Sequence, residues 1–181
     1  NSLSYVEGTG GGINNWASLP PTNVEGTLVM TDSTISNNSA VQKAGGIFNS
    51  GTASLTRSTI DTNSAARGAG IFNEGALALR TSTVSNNSAV DHAGAVYQAS
   101  GSFTAHFSTF ADNSANDGSG LYFDLNQGAN AQFTGVIVSG SGCVGDVPQS
   151  GGYNLDTGVS CDFTQTGDQV NTDPQLLPLQ P

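Results

Sequence analysis

The sequence predicts an all-β chain wound as a parallel β-helix, a solenoid of about 24–25 residues per turn. Three observations carry the expectation. The first is a tandem repeat: Ile35, Ile60, Val84 and Phe110 each precede a similar polar stretch, at steps of 25, 24 and 26 residues. A second column, Ile47, Ile71, Val96 and Leu121, keeps steps of 24, 25 and 25, so the period holds at two points of the unit. Periods of this length mean stacked supersecondary units. The second observation is strand grammar. The unit holds no i, i+3, i+4 apolar run but short alternating pieces such as Ser58-Thr59-Ile60, punctuated by Gly, Asn and Ser. The third is length, since about 24 residues at roughly 3.3 Å each make three short strands and three turns. Leucine-rich repeats need a denser Leu pattern, and propeller blades need about twice the length.

Taken in order, the unit reads G-x-(L/A)-x-(L/M)-x-x-S-T-I-x-x-N-S-A, then four or five variable residues, then G-G-I-F-N. Alternation turns Leu28, Ala53, Leu77 and Phe103 inward, then Met30, Leu55, Leu79 and Ala105, then Ser33, Ser58, Ser82 and Ser108, then the Ile35 column. Small and large residues side by side fill a narrow core at crystal-like density. Thr34, Thr59, Thr83 and Thr109 face water as an exposed file. Asn38, Asn63, Asn87 and Asn113 fall just after a strand, where a turn leaves backbone groups unpaired. They are expected to form an Asn ladder, each amide serving its neighbours one rung away, in preference to a ligand role. Ala40, Ala65, Ala89 and Ala115 follow, with room for a methyl group only.

The small pair at Gly45-Gly46 recurs as Ala69-Gly70, Gly94-Ala95 and Ser119-Gly120. Tolerance of Ala and Ser points to close packing more than to positive φ. No helix follows and no Lys is kept, which argues against a phosphate cradle. Phe48, Phe72, Tyr97 and Tyr122 come next and should point outward as an exposed aromatic ladder, stacked on one another or offered to a partner or sugar.

Only 4 Lys plus Arg oppose 14 Asp plus Glu, a net charge of -10, so nucleic acid and anionic membranes are poor partners. No apolar stretch reaches 18 residues and no signal peptide is visible; a chain opening on Asn1 reads as a processed product or an excised piece. In so Ser-, Thr-, Asn- and Gly-rich a chain, Cys143 and Cys161 read as a disulfide. Reactive thiols need a basic surround, and zinc needs further ligands, whereas His92 and His106 are far upstream. Asn-Asn-Ser at Asn37 and at Asn86 matches a glycosylation sequon but is more simply a turn.

Along the chain, residues 8–15 match the glycine pair and inward Ile, with Ile13 in the Ile47 column. An insertion near 16–25 contains Pro20-Pro21, which rules out a strand there. Four clear repeats follow. A fifth, Gly128 to Gly142, keeps Phe133 and Ile137 in their columns and puts Gly140 in place of the Asn ladder. Residues 1–142 are thus the rungs, a stub roughly 25 to 30 Å long at about 4.8 Å per rung, and 143–181 a capping segment closed by the disulfide.

The repeats G-T-x-x-L-x-x-S-T-I-S-N-N-S-A and G-G-I-F-N, closed by Cys143, Gly152-Tyr153-Asn154-Leu155, Cys161 and Asp173-Pro174, resemble bacterial right-handed parallel β-helix repeat proteins of the pectin-lyase-like superfamily. Their relatives include polymorphic outer-membrane proteins and adhesin-like surface proteins. The resemblance implies right-handed winding and an extracellular or cell-surface location, and it carries fold better than activity.

Lyase chemistry on such a fold needs clustered acids holding Ca²⁺ beside a basic residue, and glycosidases need a facing carboxylate pair. The candidates are Asp61 with Asp112, Ser85 between them, and Asp91 near Asp117. A column of Lys43, Arg67, His92 and Asp117 reads as a charged stripe. Solvated turn residues explain these more simply. No Ser-His-Asp or Cys-His arrangement follows from the columns, and no metal or cofactor is expected. An ice-binding face would extend the Thr34 file, but Thr31, Thr56, Arg80 and His106 break the second file. The expected function is a non-catalytic, secreted or cell-surface structural or adhesive module, with itself (end to end, into filaments) or a surface glycan as partner. A carbohydrate-active β-helix is the first alternative and an ice-binding solenoid the second.

Overall fold

The computed structural model describes residues 9–17, 25–117, 119–124, 130–140 and 142–177. The insertion expected near 16–25 lies mostly outside the described residues. These residues form an all-β parallel solenoid, and no helix occurs among them; none therefore is long and apolar enough to cross a membrane. Each turn contributes one strand to each of three parallel sheets. The first is β1 (Ile13–Asn15), β4 (Ile47–Asn49), β8 (Ile71–Asn73), β12 (Val96–Gln98), β15 (Ser119–Phe123) and β18 (Gly142–Gly145). The second is β2 (Thr27–Thr31), β5 (Thr52–Thr56), β9 (Ala76–Arg80), β13 (Ser102–His106), β16 (Asn130–Thr134) and β19 (Gln149–Ser150). The third is β3 (Thr34–Ser36), β6 (Thr59–Asp61), β10 (Thr83–Ser85), β14 (Thr109–Ala111), β17 (Ile137–Ser139), β20 (Leu155–Asp156) and β21 (Gln169–Val170). A short pair, β7 (Ser64–Arg67) and β11 (Ser88–His92), closes the remaining side.

In the two columns that define the repeat, register follows the sequence: Ile47 pairs with Ile71 and Ile71 with Val96, while Ile35, Ile60, Val84 and Phe110 lie one above another. Identical columns make the in-register pairing the only one that keeps every apolar side chain on the core face. The core is continuous from Met30 and Ile35 to Cys161 and Phe163. It is aliphatic in the early rungs and aromatic later, where Phe103, Phe110, Phe123 and Phe133 are fully buried around the small Ala105.

The bends share a device that the residue types conceal. Three columns sit in the left-handed region: Asp32, Arg57, Thr81 and Phe107 at one corner, Asn37, Thr62, Asn86 and Asp112 at the next, Ala44, Gly68 and Ala93 at the third. A left-handed residue costs an ordinary side chain about 1 kcal/mol or more, and here the hydrogen bonds of the rungs on either side impose it. At a further bend Gly51 is obligatory for a different reason: a Cβ there would run into the carbonyl oxygen of Gly26 in the rung before.

Two expectations for the last third change. Val138, not Ile137, occupies the inward column, pairing with Phe110, while Ile137 pairs with Thr109 on the outer face. Gly135 takes the corner position with φ of 64°, so the apolar run Val136-Ile137-Val138 enters the strand one residue later. Gly140 accordingly stands beside Asp112 at a corner and does not replace a ladder Asn. Nor does the stack stop at Gly142. β18 pairs with β15, β19 with β16, β20 with β17 and β21 with β20, so the capping segment forms further, shorter turns.

Cys143 takes the inward position opposite Leu121, and its disulfide to Cys161 lies at the end of the core, both cysteines buried. Asp156 closes the neighbouring inward column above Val138, its carboxylate accepting the amides of Gly158 and Cys161 at 2.8 and 3.2 Å. Cys143→Ser should therefore lower stability by about 2 to 3 kcal/mol through the freed loop. Thermal melts with and without reductant check this; an unchanged melting temperature would show that the shorter turns hold without the bond.

Candidate functional site

Asn38, Asn63, Asn87 and Asn113 form a continuous ladder. The Oδ1 of Asn63, Asn87 and Asn113 each accepts both the backbone N–H and the Nδ2 of the Asn one rung earlier, at 3.0 and 3.1 Å for Asn38 to Asn63, 2.9 and 3.0 Å for Asn63 to Asn87, and 3.1 and 3.0 Å for Asn87 to Asn113. The Nδ2 of Asn63, Asn87 and Asn113 also donates to Ile35, Ile60 and Val84 carbonyls. Two further polar columns are linked in the same way. Asn15 donates to Asn49, Asn49 to Asn73 and Asn73 to Gln98, side chain to side chain at 2.7, 2.6 and 2.8 Å, all buried; the repeated Asn of G-G-I-F-N was their signal. The Ser58, Ser82 and Ser108 hydroxyls accept the amides of Ser33, Ser58 and Ser82.

The aromatic ladder is present, but Phe48, Phe72 and Tyr97 are buried instead of exposed. Trp16, Phe48, Phe72, Tyr97 and Tyr122 run up one face with centroids 5.3, 5.9, 4.8 and 4.8 Å apart, the last three contacts being stacked. Phe48 and Phe72 are 2% exposed and Tyr97 9%; Tyr122 is half-buried, and Trp16 at the N-terminal end of the ladder is 57% exposed. From Phe48 to Tyr97 the rings consume one another's faces, and Ala44, Ala93, Lys43 and Arg67 cover the rest, leaving no flat platform for a sugar along that stretch.

Thr34, Thr59, Thr83 and Thr109 stack in register on the third sheet. Their neighbouring outward file is Ser36, Asp61, Ser85 and Ala111; Thr31, Thr56, Arg80 and His106 lie on the second sheet instead. Asp112 is not in the Asp61 column, since Ala111 holds that place and Asp112 turns the corner. Asp61 instead accepts bonds from Ser85, Asn86 and Thr62. Burial pushes its pKa up, yet those three donors outweigh it and hold the carboxyl below its ordinary value. Asn37 and Asn86, the sequon residues, are exposed at a left-handed corner, so the turn and the ladder are made by successive residues.

Several polar side chains of the charged column converge on a depression. Lys43 pairs with Glu74 at 3.1 Å and lies over the Phe72 ring at 4.6 Å. Arg67 lies over Phe72 and Tyr97 at 5.9 and 6.0 Å. His92 Nδ1 meets Asp117 Oδ2 at 2.6 Å and packs on Tyr122 at 4.9 Å. Burial raises the Asp117 pKa, but the Ser119 hydroxyl and amide and His92 together bring it below the usual value. Burial, and then the neighbouring Tyr122, push the Tyr97 hydroxyl up. Gln42, Ala66, Arg67, Asp91, His92 and Tyr97 line a depression of about 390 Å³. Asp91 and Asp117 flank His92 without forming a facing acid pair, because Asp117 is tied to His92 and Ser119. Among the described residues no three of His, Cys, Asp and Glu group as a metal site would require. Comparison with protein-family models, curated proteins and solved structures finds no match to this chain, so the site is read from its geometry.

Proposed function

We propose that the chain is a non-catalytic β-solenoid module with a structural or adhesive role, secreted or displayed at a cell surface. One observation carries the reading: the residues repeated in register are spent between rungs. The Asn columns bond to each other and the aromatic column stacks on itself. A repeat that directs its polar and aromatic groups along its own axis gains a continuous, stiff rod with a tolerant outer surface, which suits display. The likeness of the repeats to right-handed β-helix proteins of the pectin-lyase-like superfamily and their adhesin-like relatives supports the surface location. Incubation with Ca²⁺ and polygalacturonate should give no unsaturated product by ultraviolet absorbance. Appearance of such product, abolished by Arg67→Gln, would replace this reading with a lyase.

A further inference from the structure

On the reading of a display module, we propose that the depression around Arg67 is its contact site, built to take a carboxylate that carries a neighbouring hydroxyl. The depression exists because one turn is a residue short. Between the paired positions Ser64, Ala65 and Arg67 there is only Ala66, whereas Val90 and Asp91 fill the same interval before His92. The turn before has Val41 and Gln42 ahead of Lys43, which pairs with Arg67. Val41 and Val90, 81% and 61% exposed, stand proud on either side while Ala66 and Arg67 are set back between them. A solenoid otherwise repeats its surface, so a shortened turn between two longer ones makes a notch at one level only.

The group at the floor of this notch is a cation without a counter-ion. In a chain of net charge -10, Lys43 pairs with Glu74 and Arg57 pairs with Asp32 through two bonds of 2.6 and 2.7 Å. Among the described residues Arg67 makes no such pair within 4.0 Å. It differs from Arg80, which is exposed on another face, in being half-buried against Phe72 and Tyr97. Those rings fix the guanidinium plane and exclude water from one side of it. A planar fork of N–H donors held that way matches a carboxylate in two parallel bonds. Gln42 adds an amide to the rim, and Asp91 adds an acceptor. A bare anion would be repelled by Asp91, so the favoured ligand places a hydroxyl donor beside its carboxylate. A small hydroxy acid carries that pair on one carbon, and a uronic acid offers it wherever the hydroxyl on the adjoining ring carbon is not taken up in a linkage.

Backbone amide shifts of the ¹⁵N-labelled chain, titrated with glycolate, glucuronate and glucose, test the proposal. Glycolate and glucuronate should give saturable shifts at Gln42, Ala66, Arg67 and His92, and glucose none there. Preference between the two acids separates a free hydroxy acid from a sugar acid. Arg67→Gln should weaken binding roughly tenfold or more, the size of a charge-assisted pair, Arg67→Lys less, and Asp91→Asn should tighten acetate relative to glycolate. Inserting Val after Ala66 should fill the notch and abolish binding while the amide shifts of the outer rungs stay in place. Binding unaltered by Arg67→Gln, equal shifts with glucose, or no saturation with either acid would overturn the site. A chain that fails to bind but also fails to cleave polygalacturonate loses this site and keeps the module reading; one that cleaves it loses the module reading whatever the titration shows.

Discussion

Phe133→Ala should cost about 3 to 5 kcal/mol, the range for emptying a large core position, and should loosen the C-terminal turns first. The ring is fully buried, and its centroid lies 5.1 Å from Phe103, 5.7 Å from Phe110, 6.0 Å from Phe123 and 6.4 Å from Phe163. These partners come from all three strands of the late turns and from the chain beyond the disulfide. Ala105, its partner one rung earlier, cannot grow into the gap, and the neighbouring rings are pinned in strands. The void would therefore remain largely open. Because a solenoid is stabilised mainly between adjacent turns, the loss should appear as a broadened, two-step denaturant transition. Hydrogen exchange should speed up at Val138 and Leu155 before it does at Ile60. A loss under about 1 kcal/mol, with one sharp transition, would mean that the late turns are not packed around this ring.

Much of this architecture is legible in the residues because parallel stacking writes the same instruction into every turn. The column Ile35, Ile60, Val84, Phe110 fixes strand, face and register together, and the in-register pairs follow it. What the columns conceal is conformation and depth. Asp32, Arg57, Thr81 and Phe107 have nothing chemical in common, yet all four are left-handed, because the corner is imposed by the turns above and below. Phe48 and Phe72 alternate outward as pattern demands, yet they are buried, since alternation says which side of a strand a ring takes and not what covers it there. Val138 took the place expected of Ile137 because three consecutive β-branched residues satisfy either register and a corner glycine decides. The notch at Arg67 is a property of unequal turn lengths, so no single residue announces it; it appears only when Ala66 is set against Val90 and Asp91.

Asn63→Ala should cost about 3 to 4 kcal/mol, against a few tenths for Thr59→Ala four residues away on the same turn, because buried groups left unpaired cost about 1 to 3 kcal/mol each. Asn63 is 1% exposed and serves three turns. Its Oδ1 holds the amide and side chain of Asn38 at 3.0 and 3.1 Å, and its Nδ2 reaches the carbonyls of Ile35 and Asp61, both at 3.1 Å, and Asn87 Oδ1 at 3.0 Å. Alanine leaves the Asn38 amide without its acceptor and removes a donor from two carbonyls, the Ile35 one buried and the Asp61 one partly so. Asn87 keeps a partner, since the residue 63 amide still donates to it, so the damage runs toward the N-terminal turns. Thr59 is half-buried on the outer face, and no core contact depends on its hydroxyl. Chemical denaturation of both variants, with hydrogen exchange at Asn38 and Ala40, measures the difference. Equal losses for the two would mean that water or a relaxed backbone takes over the Asn63 bonds and that the ladder adds little to the cohesion of the rungs.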